Sequence, residues 1–200
     1  MDGKSLWNTR YQNEAYFYGT EPNSFLEEHW KLLGTPVLSL SEGEGRNAVF
    51  LASHGLDVLG VDLSDIGLEK ARKLAASRGL RIETQVADLA MYEPATAHYG
   101  GVVSIFAHLP SSVRQRLCPL VEQALKPGGV VVMEAYAESQ LARDTGGPKN
   151  PDMLMTVDKI RAEFPNLEPV LLHETERDVR EGEGHTGLAS VIQFIGRKAI

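Results

Sequence analysis

Short apolar runs alternate with amphipathic segments along the chain from Pro36 onward. Short apolar or alternating runs are typical of strands, and the longer amphipathic segments between them are typical of helices. Because the runs are separated by helical segments and several are apolar throughout, the pattern predicts a parallel sheet covered on both faces. The predicted strands are residues 37–41, 56–62, 81–87, 100–107 and 130–137.

Helix start and stop signals lie between these strands. One helix is predicted over residues 46–54, and the next is capped by Ser64 and stopped by Gly79. A third helix ends at about Leu125, and the KPGG segment at residues 126–129 is predicted as a turn into the fifth strand.

The last third of the chain departs from this alternation. A Gly- and Pro-rich loop at residues 145–152 precedes a predicted helix at about residues 153–164. Two strand-like runs, residues 168–179 and 188–198, then flank the turn EGEGHTG at residues 181–187. We expect them to form an antiparallel pair, so that the last strand runs against the others.

The predicted fold class is α/β, a Rossmann-like three-layer sandwich with a mostly parallel seven-stranded sheet and an antiparallel last strand. Residues 1–200 are expected to form a single domain, with an N-terminal cap at residues 1–35 and a core at residues 36–200. The cap segment is rich in Trp, Tyr and Phe, and we expect it to be helical and to lie over the ligand end of the sheet.

Composition and charge narrow the choice of partners. The chain has a net charge of −7 and an estimated pI of 5.4, which argues against nucleic acid and anionic membranes as partners. Cys118 is the only cysteine, so an internal disulfide and a cysteine-based metal site are excluded, and no metal is expected. The first residues contain no apolar signal-peptide segment. We therefore expect a cytoplasmic monomer or homodimer that acts on a small molecule.

The segment SLSEGEGRNAVFLA at residues 39–52 is the first candidate for chemistry. Gly43 and Gly45 allow a tight turn between the first strand and its helix, where open α/β sheets bind ligands. Asp62 ends the second strand, where an acid accepts hydrogen bonds from a ribose diol. Asp88 ends the third strand and is placed to face the next part of the same ligand.

Two ligands fit this turn, and charge favours one of them. The spacing Gly43-x-Gly45-x-x-Ala48 satisfies the dinucleotide fingerprint, which keeps NAD open. However, Glu42 and Glu44 would repel a pyrophosphate by about 1 kcal/mol each at about 4 Å even in a water-like dielectric. S-adenosylmethionine has an adenine, a ribose diol and two cationic groups, so it suits the acidic turn better.

The segment VLSLSEGEGRNAVFLASHGLDVLGVDLS resembles motifs I and II of class I S-adenosylmethionine-dependent methyltransferases. Together with WNTRY…YFYGTEPNSFL, SIFAHLPSSVRQRL and LKPGGVVVMEAY, it is most similar to the tellurite-resistance and thiopurine methyltransferase-like branch over about residues 7–197. Ser39, Ser41 and Glu42 depart from the usual motif, where an acid, a glycine and a small residue or cysteine are common.

The resemblance implies S-adenosylmethionine as the cofactor. The glycine turn would lie against its methionine part, Asp62 would bind the ribose hydroxyls, and Asp88 with Leu89 would lie at the adenine. Arg10 is the expected partner of the cofactor carboxylate. The full set of expected cofactor contacts is Arg10, Tyr18, Ser41, Glu42, Gly43, Gly45, Asn47, Asp62, Leu63, Asp88, Leu89, Ile105 and Phe106.

Acceptor and catalytic residues are predicted from position. His108 follows the fourth strand, so it is the candidate catalytic residue, with a helix-capping histidine as the equal alternative. Trp7, Tyr11 and Tyr136 are the candidate substrate contacts, although aromatic residues in these places are also common in packing. His185 lies in the turn of the closing hairpin, where it either reaches over the site or, as we favour, is exposed, and Cys118 is interpreted as a core residue.

The predicted reaction is methyl transfer to a small-molecule acceptor, with a thiol or chalcogen nucleophile suggested by the family branch alone. Transfer from a sulfonium requires mainly alignment and exclusion of water, so a soft nucleophile needs no strong base. Two alternatives remain open: an NAD(P)-dependent oxidoreductase and a non-catalytic S-adenosylmethionine-binding protein. The loop at residues 145–152 is either a lid over the site or a connector.

Overall fold

Seven strands form one mixed sheet in the computed structural model, which describes residues 3–182 and 184–200. The strands are β1 (Val37–Leu40), β2 (Val58–Asp62), β3 (Glu83–Val86), β4 (Tyr99–Ile105), β5 (Leu125–Tyr136), β6 (Leu167–Glu181) and β7 (His185–Lys198). Their order is β3-β2-β1-β4-β5-β7-β6, and β7 runs antiparallel to both of its neighbours while the other pairs are parallel. The predicted fold class is confirmed.

Six α-helices and three short 3-10 turns connect the strands in the described residues. The α-helices are α1 (Gly3–Tyr11), α2 (Ser24–His29), α3 (Arg46–Ser53), α4 (Asp65–Ser77), α5 (Ser111–Ala124) and α6 (Val157–Glu163). The 3-10 turns are Trp30–Leu32, Glu138–Ala142 and Pro151–Met153. None of the helices within these ranges combines the length and apolar character that a membrane crossing requires.

The predicted helix signals act as expected in α4. The Ser64 hydroxyl accepts a hydrogen bond from the Gly67 amide at 3.0 Å and so caps the first turn. At the other end, Gly79 has a φ of +69°, a left-handed conformation that stops the helix at little steric cost.

Apolar side chains on alternate positions of the central strands fill both faces of the sheet. In β1, Leu38 and Leu40 belong to the cluster that contains Leu117 and Val121 of α5. Val37, on the opposite face, belongs to the cluster that contains residues of α2 and α3. Cys118 is buried in the first cluster, which confirms its interpretation as a core residue.

Three predicted boundaries were wrong. The KPGG segment is part of β5 and not a separate turn, because Leu125 already pairs with Tyr99 across a register shift. Helix α6 begins only at Val157, because the Thr156 hydroxyl accepts the Lys159 amide at 3.1 Å and caps it there. The β6–β7 hairpin extends through the predicted turn, and Glu181 pairs with His185.

Candidate functional site

The carboxyl ends of β1 and β4 meet at the point where the strand order reverses. Ser41 follows β1 and Phe106 follows β4, and both have a left-handed backbone, with φ of +53° and +51°. A non-glycine residue in this conformation costs about 1–3 kcal/mol, and such strain is concentrated at ligand sites. Two strained residues at adjacent strand ends therefore mark this edge of the sheet as the candidate site.

The two glycines of the turn are required for different reasons. Gly43 has a φ of +61°, and a Cβ there would lie 2.8 Å from the Tyr11 hydroxyl, which covers the turn. Gly45 has a φ of +96°, and a Cβ there would lie 2.6 Å from the Cα of Ala71 in α4. Gly43 is thus the glycine at the ligand face, whereas Gly45 allows α3 and α4 to approach each other.

Glu42 points into the protein and not toward the ligand face. Its Oε1 accepts the Ala48 amide at 2.9 Å in the first turn of α3, and its Oε2 accepts the Ser39 hydroxyl. Burial raises the pKa of this carboxyl to about 7, although both hydrogen bonds oppose the shift. The structure therefore does not point the Glu42 side chain toward the cofactor contact expected of it.

Glu44 is also turned inward. Its Oε1 lies 2.5 Å from the Lys70 ammonium, and its Oε2 accepts the Phe17 amide at 2.8 Å. The carboxylate thereby attaches the N-terminal segment to α4. Both glutamates are engaged inside the protein and neither faces the ligand. The geometry of this site therefore gives no support to the argument that their charges would repel a pyrophosphate.

Asp62 lies at the end of β2, directly beside the glycine turn. One carboxylate oxygen accepts the Gly43 amide and the other accepts the Ser64 amide, both at 2.8 Å. Burial raises the pKa of Asp62, and these amides oppose the shift. A carboxylate has about four lone-pair positions, so two remain for further donors such as ribose hydroxyls.

The residues expected at the adenine lie on both sides of the strand ends. Leu89 and Ile105 are buried, whereas Asp88 is exposed and accepts the Ala90 amide at 2.9 Å. Leu63, half-buried after Asp62, lies beneath the start of α1. A surface cleft of about 430 Å³ opens next to Asp88 and is lined mainly by residues 85–95.

The N-terminal residues form a group of their own above the turn. Arg10 donates a hydrogen bond to the Tyr18 hydroxyl at 2.9 Å, and its guanidinium lies 4.8 Å from the Trp7 ring centroid and 5.1 Å from that of Phe17. Asn47, expected at the cofactor, instead accepts the Asn23 backbone amide at 3.0 Å and holds the segment before α2.

A cluster of aromatic and imidazole rings lies beyond the ends of β4 and β5. His108 stacks on Tyr136 with ring centroids 5.2 Å apart, and its Nε2 accepts the Tyr136 backbone amide at 3.2 Å. Burial lowers the pKa of His108 to about 3, so the ring is neutral and its Nε2 lone pair is used. This arrangement makes His108 a poor general base.

His185 belongs to this cluster, although the sequence favoured an exposed turn position. Its side chain is buried, with ring centroids 4.6 Å from both Tyr18 and Phe106 and 5.3 Å from Tyr136. The interpretation was wrong because β7 begins at His185, so the residue is part of the hairpin strand. The glycine-rich sequence around it is typical of a turn and gave no sign of a strand.

Four charged side chains beneath these rings neutralise one another. Arg177 donates to Glu134 with its Nε at 2.8 Å, and Arg46 lies 2.5 Å from Glu181. The Asn23 amide joins the two pairs by donating to Glu134 at 2.6 Å and to Glu181 at 2.7 Å. The sequence analysis did not identify this network, because its members lie far apart along the chain.

Comparisons with known proteins relate the first part of the sheet to a known family. Residues 37–129 match the family described as a methyltransferase domain. A 2-heptyl-1-hydroxyquinolin-4(1H)-one methyltransferase from Mycobacteroides abscessus is 25% identical over 115 residues, covering 56% of this chain and 51% of that protein. A ubiquinone biosynthesis O-methyltransferase from Idiomarina loihiensis is 32% identical over 111 residues, covering 54% and 45%. The chain thus spans about half the length of the curated relatives it matches.

Solved structures share the fold over nearly the whole chain. A structure described for the conversion of a disulfide bond into a thioacetal group in echinomycin biosynthesis has a TM-score of 0.77 at 20% identity, covering 99% of this chain and 93% of that one. TehB from Haemophilus influenzae has a TM-score of 0.69 at 16% identity, covering 98% and 66%. The [4+2]-cyclase SpnF has a TM-score of 0.70 at 15% identity, covering 98% and 92%. At these identities the likeness establishes the fold alone.

Residues 37–129 match a methyltransferase domain, and the chain as a whole shares its fold with the solved structures. These findings support the class predicted from the sequence, the class I S-adenosylmethionine-dependent methyltransferases, and with it S-adenosylmethionine as the expected cofactor. The narrower tellurite-resistance and thiopurine branch stays a prediction, because the likeness to TehB is distant.

Proposed function

We propose that this protein transfers the methyl group of S-adenosylmethionine to a small-molecule acceptor. The observation that carries the proposal is Asp62, which lies beside Gly43 at the switch point of a methyltransferase domain and has acceptor capacity to spare. An acidic acceptor at the end of β2 suits the ribose diol of this cofactor.

The residues of the site fit the cofactor. Asp62 would hold the ribose, Gly43 would lie against the methionine part, and Leu89 and Ile105 would line the adenine. When bound, S-adenosylmethionine supplies an electrophilic methyl group on a sulfonium. Tyr11 covers Gly43 in this structure, so α1 has to shift before the ligand can reach the turn.

The N-terminal rings and Arg10 would then close the site and exclude water. Arg10 is held by the Tyr18 hydroxyl, close to the glycine turn, and carries the positive charge that a cofactor carboxylate requires. Glu42 and Asn47 support the turn from inside in this proposal, since their side chains are engaged with α3 and with Asn23.

For the acceptor atom we propose sulfur or another chalcogen, as the family branch implies. His108 is too weakly basic to activate the acceptor, and a soft or easily ionised nucleophile needs less help from a base than a hydroxyl does. A hydroxyl acceptor is the second candidate, and it is favoured by the two relatives, whose names specify an O-methyltransferase and a hydroxyquinolone methyltransferase.

Calorimetric titration with S-adenosylmethionine, S-adenosylhomocysteine and NADH tests the proposal first. We expect both sulfur nucleosides to bind and NADH not to bind. Asp62→Asn keeps the side-chain shape but removes the charge, so it should weaken nucleoside binding roughly tenfold or more. Asp158→Asn, an exposed change on α6, is the matched control and should leave the affinity unchanged. Binding of NADH alone would overturn the proposal.

A further inference from the structure

We propose that His185 is the general base of this reaction and that the Tyr136 hydroxyl orients the acceptor, which is a neutral, ring-bearing molecule with a thiol or hydroxyl group. The inference rests on the function proposed above and assigns residues and a substrate class to its acceptor side.

Two polar atoms in the ring cluster are buried without a partner. Within residues 3–182 and 184–200, neither the Tyr136 hydroxyl nor the His185 Nδ1 has a hydrogen bond. Tyr136 is fully buried and His185 is 7% exposed. Leaving a buried polar group unpaired costs about 1–3 kcal/mol, so the Tyr136 hydroxyl points to a ligand that pairs with it, and the His185 Nδ1 points to a closer contact with Glu181 once that ligand is bound.

Glu181 sets the orientation of the His185 ring. The distance from its Oε2 to the His185 Nδ1 is 3.8 Å, slightly too long for a hydrogen bond. A carboxylate on this side favours a proton on Nδ1, so the lone pair that can accept a proton is on Nε2. Catalytic hydrogen bonds are often long before the ligand binds and shorten in the complex.

The protonation states of His185 and Tyr136 support the assignment of His185 as the base and of the Tyr136 hydroxyl as a donor. Burial lowers the pKa of His185, and the charges of Arg46 and Arg10 lower it further, while Glu181 raises it. The ring is therefore neutral before the reaction. Burial also raises the pKa of Tyr136, so its hydroxyl stays protonated and can donate. The Tyr136 hydroxyl can thus donate a hydrogen bond, and the His185 Nε2 can accept one. Both can be used by a single X–H group of the acceptor, where X is the sulfur or oxygen that is methylated.

The surroundings select an uncharged planar molecule. The rings of Phe106, Tyr18 and His108 pack around Tyr136 and His185, and ring faces stack well on other rings. The carboxylates beneath them are already paired, as Arg46 binds Glu181 and Arg177 binds Glu134, so neither is left to bind a cationic substrate.

The loop between β5 and α6 covers this cluster. A Cβ at Gly147 would lie 2.7 Å from the Tyr136 ring, and one at Gly146 would lie 3.0 Å from its hydroxyl. Gln140 holds the loop by donating to Thr145 at 3.0 Å and to the Gly146 carbonyl at 3.1 Å. An acceptor that reaches Tyr136 therefore displaces residues 145–147, which assigns the lid role to this loop.

The step balances without a further reactant. The acceptor X–H gives its proton to His185 Nε2, and the electron pair of X forms the new X–CH₃ bond. The bond between the methyl carbon and sulfur breaks, and its electron pair stays on sulfur, which leaves S-adenosylhomocysteine. Glu181 stabilises the imidazolium until its proton passes to solvent.

The rates at which three probe acceptors are methylated show whether His185 acts as a general base or has only a structural role. Benzyl mercaptan and catechol are neutral near neutral pH, whereas 4-nitrothiophenol is already a thiolate. His185→Gln should lower kcat/KM for the two neutral probes by about 10²-fold and for the thiolate by no more than about threefold, because the thiolate needs no base. His98→Gln, on the exposed far end of the sheet, is the matched control and should leave all three rates unchanged.

The remaining outcomes decide between the two proposals. An equal loss on all three probes would overturn the base role, and no methylation of any probe by the wild-type protein would overturn the acceptor class. Failure to bind S-adenosylmethionine would overturn the proposed function itself. Imidazole ¹⁵N NMR gives an independent readout: we expect the His185 ring to be neutral and protonated on Nδ1 near neutral pH, and an Nε2-protonated ring would contradict the assignment.

Discussion

At the scale of single residues, the direction of a side chain decided its role more than its type did. Glu42 and Glu44 read from the sequence as acids facing a cationic ligand, yet one binds the start of α3 and the other binds Lys70. Glu42 has a particular consequence for stability, because its carboxyl is buried next to a neutral hydroxyl and the charge of Arg46 offsets only part of the loss of water.

Glu42→Gln should change how stability depends on pH. Burial raises the folded-state pKa of Glu42 to about 7, above its unfolded value near 4.5, so the folded protein holds a proton that the unfolded chain loses. The wild-type protein therefore loses stability from this group as pH rises from about 4.5 to about 7, by about 3 kcal/mol in all. Glutamine does not titrate, so the variant should gain stability relative to wild type across this range.

Urea unfolding of both proteins at several pH values measures this difference, and the contributions of other groups cancel in the comparison. Two stability curves that stay parallel between about pH 4.5 and about pH 7.5 would show that Glu42 has an ordinary pKa in the folded protein.

At the scale of elements, the glycine turn serves helix packing as well as ligand binding. The Cα and the Cβ of Ala71 in α4 each lie 2.6 Å from the place that a Cβ of Gly45 would take, so the first turn of α3 approaches α4 more closely than a side chain at residue 45 would allow. Gly43, two residues earlier, faces Tyr11 of α1 instead. The dinucleotide-like spacing of these glycines therefore reflects two separate contacts of the turn.

Gly45→Ala should destabilise the protein more than Gly55→Ala does. Both glycines have positive φ, +96° and +82°, so each alanine incurs about 1–2 kcal/mol of backbone strain. A Cβ at Gly45 also meets Ala71 at 2.6 Å, which adds about 1–3 kcal/mol of overpacking, whereas a Cβ at Gly55 meets open space. Equal losses in chemical denaturation would mean that α3 and α4 separate easily.

At the scale of the whole molecule, one buried network connects the N-terminal segment to the C-terminal hairpin. Asn23 precedes α2, Glu134 lies in β5, and Arg177 and Glu181 lie in β6. Burial raises the pKa of Glu181, but His185, Arg46 and Arg177 outweigh it and lower that pKa to about 2. The network therefore stays ionised, and it holds the ring cluster against the glycine turn.

Arg177→Met should be strongly destabilising, because it leaves the fully buried Glu134 without its cation. Removing one partner of a buried pair costs about 3–5 kcal/mol. Arg180→Met on the same strand is the control: Arg180 is exposed and pairs with exposed Asp178, so its loss should cost less than about 1 kcal/mol. Chemical denaturation measures both, and similar losses would contradict a structural role for the network.

The sequence by itself determined the sheet, and it indicated the cofactor class and the sheet edge at which the site is proposed. Strand and helix periodicity is a local property, and so are caps such as Ser64, so the parallel core and the antiparallel β7 could be predicted from short segments. Asp62 follows from the same logic, because the last residue of a parallel strand must lie at the ligand edge.

Only the tertiary structure decided which side chains face that edge. Glu44 is neutralised by Lys70, and His185 is buried against Tyr18, Phe106 and Tyr136. These contacts join residues 26 to 167 positions apart, and a local pattern contains no information about such partners. Burial, hydrogen bonding and pKa all depend on those partners, which is why the candidate base appeared only when the chain was folded.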